Sequence, residues 1–195
     1  MKKAAGNLDV LVKIAGGIFG ACAWVLVIVG VLLLLIGERM YDAGSVSLDL
    51  DYVSLYLSEG IQVGFAELKA AIAAGLIVSG IVCHLVGRGA KLVRRMLAAM
   101  KEGRPFDTDT PASLRKIAWM TLAGGALVQI AGILDRVVYT RVLPMEQIFS
   151  SPVIAQVEYN YTFDLGFVWV AIVIFFLSYV FDYGRKLQEE SDETL

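Results

Sequence analysis

The sequence predicts an all-α membrane protein, a four-transmembrane-helix bundle forming one membrane domain over residues 1–195. Two observations predict it: four stretches are long and apolar enough to cross a bilayer, and most Lys and Arg residues fall on one side of them. A hydrocarbon core of roughly 30 Å takes about 20 helical residues. Because a backbone in lipid must bond to itself, each stretch is expected to be a helix.

The apolar stretches define four predicted spans, at residues 14–36, 70–86, 117–134 and 165–181. The first span carries no charged residue, the second contains His84, and Gln129 is the most polar residue of the third. Spans two to four are near the short limit for crossing a bilayer. We therefore expect flanking residues to extend each helix into the headgroup region.

The basic residues predict the orientation. Thirteen of the 17 lie before span one, between spans two and three, or after span four: Lys2, Lys3, Lys13, Arg88, Lys91, Arg94, Arg95, Lys101, Arg104, Arg115, Lys116, Arg185 and Lys186. Since basic residues concentrate in cytoplasmic loops, both termini and the loop 87–116 are expected in the cytoplasm, with the loops 38–66 and 136–163 outside. A basic inner face suits anionic headgroups, so the lipid bilayer is the first expected partner.

Each outer loop contains a stretch that alternates apolar and polar residues, at 45–52 and at 153–161. This alternation, with Val, Leu and Tyr at the apolar positions, predicts a short extracytoplasmic strand in each loop. Pairing of the two strands would form a small sheet on the outer side.

Apolar residues continue at helical spacing past span two, from Leu92 to Met100, opposite a run of basic residues. The pattern predicts an amphipathic cytoplasmic extension that bends along the inner surface or projects past it. Gly103 is expected to end this helix as its C-terminal cap. Thr110 and Pro111 are expected to be the N-cap and first residue of the next helix.

Small residues recur within the spans, at Gly16 and Gly20, at Ala71 and Gly75, and across residues 123–126. Small side chains let helices approach closely in lipid. They indicate either packing within the bundle or a face that binds a second copy in a homo-oligomer.

The sequence has no phosphate-binding glycine loop followed by Lys, no nucleophile elbow and no zinc-ligand spacing. We therefore expect a protein that is not an enzyme and that needs no cofactor or metal. Direct binding of nucleic acid is disfavoured because the basic residues flank spans and do not form a separate domain.

An ionisable residue inside a span is a functional candidate by default. His84 fits either a proton relay, with Asp182 as its carboxylate partner, or a hydrogen-bonded histidine near the inner interface. Together with Gln129 it would be an intramembrane polar candidate in a small-solute or ion transporter component, the alternative function.

Two stretches on the predicted inner side carry a family resemblance. The matching positions are Gly103, Pro105 and Phe106 in a turn, Leu114, Arg115 and Ile117 at a helix start, and Gly184, Leu187, Gln188, Glu189, Glu190, Asp192 and Thr194 in the tail. With four spans, they resemble the bacterial membrane proteins of domain-of-unknown-function family 2975 (DUF2975). That family has a Gly-x-Pro-Phe turn, a Leu-Arg-x-Ile helix start and a Gly-x-x-Leu-Gln-Glu-Glu-x-Asp-x-Thr tail. Leu195 departs from its usual final Val or Ile.

The resemblance implies a multi-pass protein of the bacterial cytoplasmic (inner) membrane with no established activity. Members are often encoded beside a small helix-turn-helix DNA-binding protein, which implies a regulatory partnership. The leading hypothesis is thus a non-enzymatic regulator or scaffold that binds such a protein. The candidate partner-binding residues are Gly103, Pro105, Phe106, Arg115, Gln188, Glu189, Glu190 and Asp192.

A second arrangement of the acidic tail stays open. The tail could dock within the same chain, on Arg94, Arg95 or Arg104, or end as a solvated helix terminus while the turn serves only as a connector.

Overall fold

The structure is a computed structural model that describes residues 2–35, 47–50, 53–56, 65–102, 107, 109–142 and 163–193. Its elements are α1 (Lys2–Leu35), β1 (Ser47–Leu50), β2 (Val53–Tyr56), α2 (Phe65–Lys101), α3 (Asp109–Val142) and α4 (Gly166–Glu193). All four helices are long and apolar enough to cross a membrane. The described chain is therefore a predominantly helical, multi-pass membrane protein.

The four helices run alternately up and down. The start of α1 meets the end of α2, where Asp9 contacts Lys101. The start of α2 meets the end of α3, where the Asp135 carboxylate lies beside Gly75. The start of α3 meets the second half of α4, where the buried Ser178 hydroxyl donates to the carbonyl of Pro111 at 3.0 Å.

Among the described residues, the extensive contacts join consecutive helices, so the four predicted helices are arranged as an open row. The reason lies in α2. Gly80 and Gly87 on one side of this helix face α1, whereas Leu85 on the other side faces Gly124 of α3. With its two neighbours on opposite faces, α2 separates α1 from the rest of the helices.

The α1–α2 contact depends on glycines, which have no side chain to hold the two helices apart. A Cβ added to Gly30 would stand 3.0 Å from the carbonyl oxygen of Ala73, and one added to Gly16 would stand 2.9 Å from the Cβ of Ala90. Helix backbones that approach this closely gain van der Waals contact, the main attraction between helices in lipid. Gly16 thus serves packing within the chain, one of the two roles predicted for it.

The α3–α4 contact is built differently, from aromatic rings over a glycine. A Cβ on Gly125 would overlap the ring of Phe167. One and a half turns nearer the start of α3, Trp119 and Phe175 meet edge to face, with ring centroids 5.6 Å apart and planes at 82°. Such T-shaped pairs are favourable, and they fix the rotation of α4 about its own axis.

Large apolar side chains lie mostly outside, and the described core is mainly alanine. Trp24, Leu35, Trp169 and Phe176 are well exposed, while Ala73, Ala118 and Ala171 are fully buried. In water this distribution would be unfavourable, but in lipid the tails surround the large side chains and small residues occupy the helix interfaces.

The strand predicted within residues 45–52 corresponds to β1, Ser47–Leu50. It pairs antiparallel with β2, with Ser47 opposite Tyr56 and Leu50 opposite Val53. Among the described residues, its partner is therefore a strand of the same loop, which the sequence analysis did not predict. The second predicted strand, 153–161, lies outside the described residues.

The helical extension past span two is confirmed, since α2 continues without interruption to Lys101. The predicted cap, Gly103, lies outside the described residues. Helix α3 begins at Asp109, one residue before the predicted N-cap, and the Thr110 N–H donates to the carbonyl of Asp107 at 3.0 Å. Differences of one or two residues are normal at helix ends, but burial of Thr110 shows that this helix start is packed.

We predict that Gly80→Ala destabilises the protein by about 1–3 kcal/mol, the usual result of overfilling a packed contact. The new Cβ would stand 2.9 Å from the carbonyl oxygen of Ala23, a backbone atom that cannot rotate away. The matched control is Gly17→Ala, because a Cβ there meets nothing within 4 Å. Thermal unfolding of both variants in one detergent measures the difference, and equal melting temperatures would contradict this packing.

Candidate functional site: the basic end and the interhelical groove

The alternation of the helices brings the charged segments together at one end of the molecule. We call this the basic end: residues 2–13 of α1, 87–101 of α2, 109–116 of α3 and 182–193 of α4. The 15 residues of the α2 segment would rise about 22 Å as a helix. The fold thereby places the candidate partner residues of α3 and α4 at the same end.

An ion-pair cluster ties α1 to the α2 extension. The Asp9 carboxylate accepts hydrogen bonds from Arg94 Nε at 2.9 Å and from Lys101 Nζ at 2.8 Å, one on each oxygen. Asp9 lies ahead of the charge-free segment that begins at Ile14. The Lys101 ammonium, followed by the Arg94 guanidinium, holds the pKa of the Asp9 carboxyl below its usual range.

This cluster was missed by sequence analysis, and it gives another acidic partner to one of the three arginines suggested for docking of the tail. Arg94, one of the three residues suggested for the acidic tail, is bonded to Asp9. Arg104 lies outside the described residues. The signal that could have revealed the pairing was the isolated acid at position 9, five residues before the first span and at the depth of the basic extension of α2.

Helix α4 continues through the predicted tail to Glu193. Within it Arg185 bonds Asp182 at 3.2 Å and Glu189 at 2.9 Å, both across one helical turn. Such pairs add a few tenths of a kcal/mol each. The result is a helical terminus, 12 residues and about 18 Å long beyond Phe181, that presents exposed Gln188, Glu189 and Glu190.

The other candidate partner residues are only partly described. Arg115 is exposed on the first turns of α3. Gly103, Pro105 and Phe106, and the side chain of Asp192, lie outside the described residues. Between the end of α2 and the start of α3, a cavity of about 250 Å³ is bordered by Arg95, Met96, Ala98, Ala99, Glu102, Asp107, Asp109, Thr110 and Ser113.

A second concave feature runs between α2, α3 and α4. This interhelical groove has a volume of about 520 Å³ and is lined by Val82, Leu85, Val86, Gly89, Ile117, Met120, Thr121, Gly124, Gly125, Val128, Gln129, Asp164 and Phe167. The lining is mostly apolar: the Thr121 hydroxyl donates to the carbonyl of Ile117 at 3.0 Å, and the other polar residues are Gln129 and Asp164. Gln129 Nε2 donates to the carbonyl of Asp164 at 2.6 Å, and Asp164 Oδ1 accepts from the Gly166 N–H at 2.7 Å.

The two intramembrane polar candidates do not meet. Gln129 lies at one end of the groove, whereas His84 is exposed and is not among the groove residues. Asp182, the suggested relay partner of His84, bonds Arg185 and Lys186. In the part of the chain that the structure describes, these residues therefore do not line a common polar path.

The fold and the distribution of its residues define the class, a multi-pass membrane protein with four candidate spanning helices. A sequence model of a family described as proteins of unknown function, DUF2975, matches residues 61–195. The chain therefore belongs to the DUF2975 family, as its turn and tail motifs predicted. No curated protein and no solved structure shows detectable similarity to it.

We expect Asp9→Asn to loosen the start of α1 from the α2 extension, because Arg94 and Lys101 would both lose their anionic partner. Backbone hydrogen exchange over residues 6–13 should accelerate, whereas Glu190→Gln, which neutralises an exposed carboxylate on α4, should leave it unchanged. Identical exchange in wild type and Asp9→Asn would show that the cluster does not hold α1.

The cluster also predicts a pH dependence. Since the folded-state pKa of Asp9 is lowered, its contribution is complete above the ordinary value of 3.8 and is lost as the pH falls through the lowered value. Exchange of residues 6–13, corrected for its intrinsic pH dependence, should match that of Asp9→Asn only below pH 3.8.

Proposed function

We propose that this protein is a non-enzymatic regulator or scaffold of the bacterial cytoplasmic (inner) membrane. Its basic end would face the cytoplasm and bind a small soluble protein of the helix-turn-helix type. The observation that carries the proposal is the continuation of α4 as a helix to Glu193. A helix with an exposed polar terminus is a preformed binding element, so a partner need not order it.

The basic end has exposed residues of both charges, which supports a binding surface with an acidic and a basic patch. Exposed Glu189 and Glu190 are on the terminus of α4, and exposed Arg115 and Lys116 are on the start of α3. Ser178 joins these two helices through the carbonyl of Pro111, which fixes their spacing. Complementary charges of this kind govern the rate and specificity of protein association more than its affinity.

The orientation supports the proposal as well. Thirteen of the 17 basic residues lie within or beside the segments of the basic end, and such residues are retained on the cytoplasmic side during insertion. The tail and turn motifs would then be presented to soluble cytoplasmic proteins.

Co-purification from detergent-solubilised membranes tests the proposal. The full chain should retain a specific small soluble protein, and a chain lacking residues 188–195 should lose it. The double variant Glu189→Gln/Glu190→Gln should weaken retention by about fivefold to 30-fold, the effect of removing 1–2 kcal/mol of interfacial ion pairing.

The matched control is Glu67→Gln, which neutralises an acid at the start of α2, the opposite end of the molecule. It should bind as wild type does. No specific partner, or a partner retained equally after removal of residues 188–195, would contradict the proposal.

A further inference from the structure

The interhelical groove has a lining and a position that suit a lipid, and the proposed partner surface at the basic end does not use it. Its position follows from the open row of helices. Because α1 packs on the opposite face of α2, the space between α2 and α4 is open to the bilayer. Val86 and Val128, which line the groove, are 43% and 51% exposed. In a multi-pass protein, groove residues exposed at these positions face lipid.

The size and shape of the groove fit one acyl chain. Its volume of about 520 Å³ is within the usual range of roughly 300–1,000 Å³ for ligand sites. Along α3 it extends from Ile117 to Gln129, thirteen residues whose ends are about 18 Å apart along the helix axis. This length is close to the ~15 Å that one leaflet contributes to a hydrocarbon core of roughly 30 Å.

The polar end of the groove indicates the headgroup. Asp164 immediately precedes the predicted fourth span, which begins at Leu165, so its carboxylate is expected near the end of the hydrocarbon crossing. One oxygen accepts the Gly166 N–H at 2.7 Å, and a carboxylate retains further acceptor positions after one such bond. Gln129 fixes the backbone of Asp164 at 2.6 Å. An acid held at the end of an apolar groove is complementary to an ammonium group on an apolar chain.

We propose that the groove binds a phospholipid of the surrounding bilayer whose headgroup carries an ammonium, with one acyl chain between α2 and α4 and the ammonium at Asp164. The site is independent of the proposed partner at the basic end.

The test places the purified protein in nanodiscs containing equal amounts of phosphatidylethanolamine and phosphatidylglycerol, then measures the lipid that stays bound by native mass spectrometry. The wild-type protein should retain the ethanolamine lipid about threefold in excess, the effect expected of one solvent-facing ion pair. Asp164→Asn should bring the ratio to about one while preserving the fold, since Asn accepts the Gly166 N–H as well as Asp does.

A matched pair of variants tests the groove itself. Val128→Trp fills it and should abolish retention of both lipids, whereas Val173→Trp, on an exposed face of α4 outside the groove, should retain them as wild type does. Equal retention of the two lipids by the wild type, or an unchanged ratio in Asp164→Asn, would overturn the headgroup assignment. Two protein copies joined through Val128→Cys disulfides would overturn the site by assigning the groove to a second copy.

Discussion

A backbone inside lipid must satisfy its own hydrogen bonds, and this constraint accounts for the four long helices on which the rest of the structure depends. Once each apolar run is a helix, the chain crosses alternately in opposite directions. Alternation then brings the start of α1, the end of α2, the start of α3 and the end of α4 together. The basic end is therefore a consequence of topology, and the Asp9 cluster becomes available only because α1 and α2 are antiparallel neighbours.

The helices associate through contacts that differ from one pair to the next. Glycines bring the backbones of α1 and α2 together along most of their length, whereas α3 and α4 meet through Phe167, Trp119 and Phe175. The first contact is closely packed. Between α2, α3 and α4 the side chains do not fill the space, and the groove lies there. The same open row of helices thus explains both the close packing of α1 and the concavity on the other side of α2.

Much of this fold could be predicted from the sequence, because hydropathy and helical spacing act over segments and do not require knowledge of neighbours. The four helices, the extension of α2 and the start of α3, to within one residue of Thr110, follow from such local patterns. The hairpin pairing within residues 47–56, the Asp9 cluster and the groove did not. The cluster depends on contacts between residues 85 and 92 positions apart. The groove depends on how three helices meet, and the strand pairing depends on a register that the alternation alone leaves open.

The most direct test of the account is the side of the membrane on which the basic end lies. In a background lacking Cys22 and Cys83, single cysteines at Lys101 and Leu195 should react with a membrane-impermeant maleimide only after the cells are permeabilised. A cysteine at Ser47, in the hairpin, should react in intact cells. Labelling of position 101 or 195 in intact cells would contradict the topology, and the proposed partner surface would then face away from the cytoplasm.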